Sequence, residues 1–477
     1  MSSLKKNFVY NLLYNATRII FPLITAPYVA RVLEPDGIGL YQFSVTYAGY
    51  FALVALLGVP TYGVREVAKV KDDRYALNKL VSQIFSIIVI STLFVSIVYL
   101  LSLAFIGQLR QDYICFLLAG FCVYLSPFQT NWFYQGVEEF DYITIRSIIV
   151  KLLSVLFLFI FVRSKNDIIP YILISVFGTI VADIWNYVKM RTKGIIPKLT
   201  FNGLTLHLRP LFLLFASSVA ISIYTVLDTL MLGFIKDYSE VGYYSNAMNM
   251  SKMFLVIVTS LSVVSVPRFS SYISKGLYSE ANKLANRSFS FVGFLAFPLS
   301  IGLICIAPIF VPWFFGNQFI GAIIPLEILS VLNIAIGFSN ILGVQILVGM
   351  GKDKQFLRCI IWGTVSNFIL NSILIPVSGA IGASVASVFA EFVVMFTMFY
   401  YIYKETPVRL IVFGDILKSF MGSLLFFPLF MVLPYFDNGI IYLSVSFTCS
   451  MILYAFSQYI LHNSLALEIS RQIKEKF

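Results

Sequence analysis

Apolar residues fall into fourteen long runs separated by short polar stretches, with limits near 8–33, 40–62, 80–106, 113–134, 142–163, 168–188, 210–235, 243–267, 287–312, 322–349, 356–376, 380–403, 416–434 and 439–461. A hydrocarbon core about 30 Å thick is crossed by about 20 apolar residues in a helix. Each run therefore predicts one membrane-spanning helix, and the chain reads as an all-α polytopic membrane protein with fourteen transmembrane helices. Pro22 and Pro27 predict a kink in the first. No polar stretch is long enough to hold a soluble domain.

Composition agrees with the pattern. Of the 477 residues 59% are hydrophobic and 12% charged, against about 25% charged in a soluble chain, and the mean hydropathy is +0.87. Lys5 and Lys6 before the first run imitate a signal peptide, but the run is too long and lacks a small-residue cleavage site, so it predicts a retained helix. The five cysteines lie in or beside apolar runs with no CxxC spacing and read as small buried hydrophobes. Two histidines, His207 and His462, are too few and too far apart for a metal site. No metal and no cofactor are expected.

The net charge is +11, which on its own would suggest nucleic acid. Its distribution excludes that reading. With a cytoplasmic N-terminus, 25 of the 34 cations fall in the inner segments, and five (Arg31, Arg110, Arg163, Lys165 and Lys236) fall in outer loops. The asymmetry is a topology signal that puts both termini inside and requires an even number of spans.

An internal repeat runs through the chain. Ile38-Gly39-Leu40-Tyr41 after the first run matches Val241-Gly242-Tyr243-Tyr244 after the seventh, Val59-Pro60 matches Val266-Pro267, and Gly136-Val137-Glu138-Glu139-Phe140 parallels Gly351-Lys352-Asp353-Lys354-Gln355. Ala182-Asp183 matches Ala390-Glu391. Four weak matches in order predict two six-helix lobes, residues 1–200 and 201–405, followed by two further helices and a tail, 406–477. Six is even, so the lobes enter the membrane in the same sense and their pseudo-twofold axis lies along its normal.

The remaining four cations, Arg18, Arg146, Lys151 and Lys252, stand inside apolar runs. At 1.5 Å per residue, Arg146 lies roughly 6 Å and Lys151 roughly 13 Å from the start of their run. Arg146 is within reach of the interface by snorkelling. A lysine near the midplane costs at least ~2.5 kcal/mol unless it faces a polar cavity or a partner. Arg18 and Lys252 come to similar depths. Three deep cations with few acids at their level predict a water-filled cationic cavity for an anion such as phosphate or pyrophosphate, with Arg146 as a contact on entry. Of the acids inside the runs, Glu327 is shallow and reads as a solvated end residue, while Asp228, Asp183 and Glu391 are candidate proton or ion carriers.

WFYQGVEEFDYITIRSIIVKL, the opening NLLYNATRIIFPLITAPYVARVLEPDGIGLYQFS, LDTLMLGFIKDYSEVGYYSNA, Val266-Pro267-Arg268 and VGMGKDKQFLRC occur in one order along the whole chain. Together they resemble bacterial flippases for lipid-linked polysaccharide repeat units, the Wzx type, of the multidrug, oligosaccharidyl-lipid and polysaccharide exporter superfamily. The resemblance implies fourteen helices, a central cationic cavity and a non-enzymatic transporter of the bacterial plasma membrane. Its substrate would be an oligosaccharide on undecaprenyl pyrophosphate, turned from the cytoplasmic to the outer leaflet by alternating access for surface polysaccharide biosynthesis. Membrane lipid, a polysaccharide polymerase and glycosyltransferases are the partners it suggests. Arg18 and Asp228 stand where the family places a first-helix arginine and a seventh-helix aspartate. Two other readings use the same composition: a drug or metabolite-cation antiporter of that superfamily, which would favour an acidic cavity, and a membrane polysaccharide polymerase, which would need a sizeable extramembrane loop.

Overall fold

The computed structural model describes the backbone of residues 2–434 and 438–474, and side chains from Phe21 onward except for a few inside helices. The described residues are helices joined by short turns, with no strand among them. Nine of these helices are long and apolar enough to cross a membrane, or ten when one bent pair is taken as a single span. They form two compact units, residues 1–242 and 243–477.

Some expected spans are interrupted, and other breaks fall between expected spans. The first helix, Ser2–Leu56, passes through Pro22 and Pro27 and leaves helical dihedrals instead at Glu34 (φ 59°, ψ 176°). Pro35 follows, and its ring disfavours the α region for the residue before it. The second run, expected to be continuous over 40–62, stops at Leu57 and Gly58, both with positive φ. A separate helix Val59–Val70 then starts with proline in its first turn, where the missing N–H costs nothing. The fourth run is four short helical pieces, the first two bent by 41° from the last two, with Gly120 between the first and second and Pro127 inside the third. The tenth ends in a π-helix, Ile341–Leu347. The long helix Asp353–Glu405 breaks at Gly379 (φ 53°, ψ −126°), a conformation open to glycine alone among common residues.

In the first unit Trp132, Phe133 and Tyr134 pack with Val59, Tyr62, Leu77, Leu80 and Ile143 into one apolar core. The acids of the following turn are tied to cations. Glu138, itself at φ 63°, accepts from Lys71 Nζ at 2.9 Å, and Glu139 pairs with Lys193. Opposite this core, Leu93, Phe94 and Ile97 stay exposed on the helix Arg74–Phe105, as side chains facing lipid do. In the second unit Ile301, Phe426 and Tyr454 form a smaller core.

Two glycines from the internal repeat meet in the first unit. A Cβ built on Gly39 would overlap the backbone of Tyr238, and one built on Gly242 would overlap the carbonyl of Pro35. The backbones of Ser2–Leu56 and Tyr238–Ser274 touch there because neither residue has a side chain.

One loop carries a pH dependence of its own. Between the helices Phe140–Phe161 and Ile168–Thr192, Asp167 Oδ2 accepts from the amides of Arg163 (2.9 Å) and Ser164 (2.8 Å). These bonds, that from Arg163 foremost, hold the carboxyl below its ordinary range. A depressed carboxylate stabilises fully above its unfolded pKa of about 3.9 and loses that stabilisation as pH falls through the lower folded value. Exchange protection at the two amides, corrected for intrinsic rate, is therefore expected to hold at pH 5–7 and to vanish in strong acid. In Asp167→Ala it is expected to be absent throughout.

Candidate functional site: charged and polar residues inside the spans

The motif Asn131–Gly136 and the helix Phe140–Phe161 bring the first polar cluster together. Arg146 is 3% exposed. Its Nη1 donates to the carbonyl of Ala182 (3.0 Å), and its Nη2 donates to Asn131 Oδ1 (3.1 Å) and Ser147 Oγ (3.2 Å). Asn186 Nδ2 also donates to Asn131 Oδ1 (3.0 Å), so two donors fix the orientation of the Asn131 amide. Its Nδ2 then faces Asp183 Oδ1 at 3.5 Å. Tyr134 closes the cluster by donating to the carbonyl of Asn186 at 2.7 Å. Asp183 is 5% exposed and lines a small pocket with Cys122, Gln129, Phe128 and Thr179.

This arrangement corrects one expectation. Arg146 does not snorkel to the interface; its guanidinium turns inward. The reason is local. Buried carbonyl and amide oxygens within 3.1 Å offer fixed acceptors, and the Asp183 carboxylate acts on it electrostatically. Arg146 and Asp183 are thus brought together, one as a candidate anion ligand and the other as a candidate ion carrier, through an asparagine that charge counting passed over.

Lys151 stands apart from them. Five residues along a helix turn by about 500°, so Arg146 and Lys151 leave their helix in directions about 140° apart. Lys151 is half-buried, and its Nζ lies 5.6 Å from the Phe21 ring centroid, within cation–π range. Phe21 follows Arg18 by three residues on the helix Ser2–Leu56; the Arg18 side chain itself lies outside the described residues. Asp228 is 4% exposed on the helix Thr205–Ile235. It acts electrostatically on Tyr50, whose hydroxyl donates to the Ser222 carbonyl at 2.9 Å. Lys252 is exposed and Glu391 half-buried, and both belong to the second unit.

The second unit also holds buried neutral polar residues that a search for charges missed. Asn371 donates to Asn367 Oδ1 at 3.0 Å, and the hydroxyls of Tyr244 and Ser387 meet at 3.0 Å. Gln345 is fully buried in the π-helix with neither amide atom hydrogen-bonded. A polar residue inside an apolar run is the signal that would have found them. It is weak in sequence because such residues also bond within their own helix.

Comparisons with known proteins bear on the family and the fold. A putative O-antigen transporter of Escherichia coli is 26% identical over 416 residues, covering 84% of this chain and 97% of that protein. A similar transporter of Shigella dysenteriae is 23% identical over 83% of this chain and 99% of its own length. Among solved structures, the lipid II flippase MurJ in an inward closed conformation superposes with a TM-score of 0.73 at 17% identity, over 96% of this chain and 99% of that one. The model of the polysaccharide biosynthesis protein family matches residues 4–273. That match spans more than half of the chain, which therefore belongs to the polysaccharide biosynthesis protein family.

Proposed function

We propose that the chain turns undecaprenyl-pyrophosphate-linked oligosaccharide repeat units from the cytoplasmic to the outer leaflet of a bacterial plasma membrane, by alternating access. In this reading fourteen spans form lobes 1–200 and 201–405 with two appended helices, and both termini are cytoplasmic. Similarity to putative O-antigen transporters over 84% and 83% of this chain supports the activity class. The observation that carries the anion site is Lys151, a half-buried lysine kept inside a span beside Phe21, on the helix that bears Arg18. Lysine is rare at such depth and points to function, and its ammonium suits a pyrophosphate through charge-assisted hydrogen bonds. In this reading Arg18, Lys151 and Lys252 are the cations offered to the pyrophosphate, the sugars stay hydrated, and the polyprenyl chain remains in lipid. The polar head is thereby spared the desolvation that hydrocarbon would impose. Asp228, Asp183 and Glu391 are the groups available to carry a coupling ion.

The test is complementation of a strain lacking its own O-antigen flippase, with membrane levels of each variant matched. The wild-type chain is expected to restore surface polysaccharide. Lys151→Ala and Lys252→Ala are each expected to reduce it at least about tenfold, the factor of one lost charge-assisted bond, and Arg18→Ala/Lys151→Ala to abolish it. Full surface polysaccharide from Arg18→Ala/Lys151→Ala would overturn the anion site. Drug resistance without any polysaccharide rescue would replace the flippase reading with antiport.

A further inference from the structure

The segment that follows the helix Ile168–Thr192 is held along the helix Arg74–Phe105 by side chains. Asn78 Oδ1 accepts from the amide of Ile196 (3.0 Å), Ser82 Oγ from Lys198 (3.2 Å) and Ser86 Oγ from Thr200 (2.8 Å). Asn78 Nδ2 also donates to the carbonyl of Gly194 (3.4 Å), and Gln83 Nε2 to that of Asn202 (2.9 Å). The register has a geometric cause. Four residues of helix rise about 6 Å, and two residues of extended chain span about 6.6 Å. A chain laid along a helix therefore meets the i, i+4, i+8 side chains with every second amide. Pro197, which has no N–H to give, stands at a position where none is used.

The same device occurs in the second unit. Asn282 Oδ1 accepts from the amide of Arg409 (2.9 Å) and Asn286 Oδ1 from Ile411 (2.8 Å), while Asn286 Nδ2 donates to the carbonyl of Arg409 (2.8 Å). The helix partners Asn78 and Asn282 are 204 residues apart, as are Ser82 and Asn286; the amides of Ile196 and Arg409 are 213 apart, as are those of Lys198 and Ile411. The helices repeat in sequence at the same spacing: Asn78-Lys79-Leu80 recurs as Asn282-Lys283-Leu284, and Phe85-Ser86 as Phe289-Ser290. A shared register in both units is a duplicated feature.

The geometry points to a pair of straps, residues 194–202 and 406–411. Each is clipped to the N-terminal part of the third long helix of its repeat and makes the segment that leads out of that repeat a fixed part of it. Movement in a transport cycle then falls beyond the straps. In the first unit the clip extends to the start of the next helix: His207 Nε2 meets Gln83 Oε1 at 3.0 Å, and His207 Nδ1 meets the Tyr62 hydroxyl at 2.7 Å.

Hydrogen exchange on the full-length protein in lipid nanodiscs tests this. The amides of 196, 198, 200, 409 and 411 are expected to be protected while that of Leu199 exchanges freely. N78L/S82L is expected to speed exchange at 196 and 198 at least about fivefold, the factor of one ordinary hydrogen bond, with the second strap unchanged; N282L/N286L is expected to do the reverse. Asn78→Asp keeps the acceptor and is expected to keep protection at 196. Exchange in the wild type at the rate of a free chain, or protection untouched in both double variants, would overturn the straps. In the complementation assay, clip-free variants at matched membrane levels are expected to lose surface polysaccharide and Ser82→Thr to keep it. Full assembly with freely exchanging straps would show that clipping is not part of transport. The transport arm rests on the flippase reading and the exchange arm does not: failure of the wild-type chain to complement sinks that reading and leaves the straps to be decided by exchange.

Discussion

Replacing Arg146 by methionine is expected to destabilise the first unit by about 3–5 kcal/mol, the usual cost of removing one partner from a buried charge network. The substitution nearly preserves volume and keeps an apolar side chain in the helix, so the loss isolates the guanidinium. Asn131 Oδ1 and the carbonyl of Ala182 would lose donors at 3.1 and 3.0 Å, and the 5% exposed Asp183 would lose the cation that acts on it. Asp183→Asn alone is expected to destabilise as well, because Arg146 would then sit in the interior without its countercharge. The double variant Arg146→Met/Asp183→Asn removes both charges and is expected to be more stable than the sum of the singles by at least ~1 kcal/mol. Thermal unfolding of purified protein, read as a double-mutant cycle, measures this. Additive effects would mean that the two residues do not stabilise one another.

Gly39→Val is expected to prevent the first unit from folding. A Cβ at Gly39 would occupy the space of the Tyr238 carbonyl and crowd the amide of Gly242, and both obstacles are backbone. Backbone cannot rotate away as a side chain can, so the helices must part and the contacts on either side are lost. Overpacking of this kind costs several kcal/mol when the neighbour cannot yield. Gly49→Val in the same helix is the control, since beyond the helix's own nearby backbone no atom lies within 4 Å of a Cβ there. The measurement is the monodisperse yield of each variant in detergent. Equal yields for Gly39→Val and Gly49→Val would refute the close crossing.

These predictions separate what the residues declare from what packing decides. The all-helical membrane class was legible because it follows from composition and run length, and hydrocarbon leaves a backbone few ways to satisfy itself. The repeat was legible at Gly39 and Gly242, although their meeting face to face was not. Helix interruptions were misread wherever hydropathy stayed high through Leu57-Gly58 or through the fourth run, because hydropathy averages over a window while a break depends on one residue's dihedrals. The search for charges found Arg146 and Asp183 but placed Arg146 at an interface. It could not see that Asn131 and Asn186 would supply acceptors closer than water.

The sequence by itself determined that this chain lives in a membrane as helices and that it carries cations inside apolar runs, and its ordered matches predict two related halves. Those properties are sums over residues, and a sum survives without coordinates. The tertiary structure decided which of those charges face each other, which turn inward and which polar side chains clip a segment to a helix. Such outcomes depend on directions fixed by 100° steps around a helix and on neighbours more than 50 residues away, such as Asp183 for Asn131 and Ile196 for Asn78.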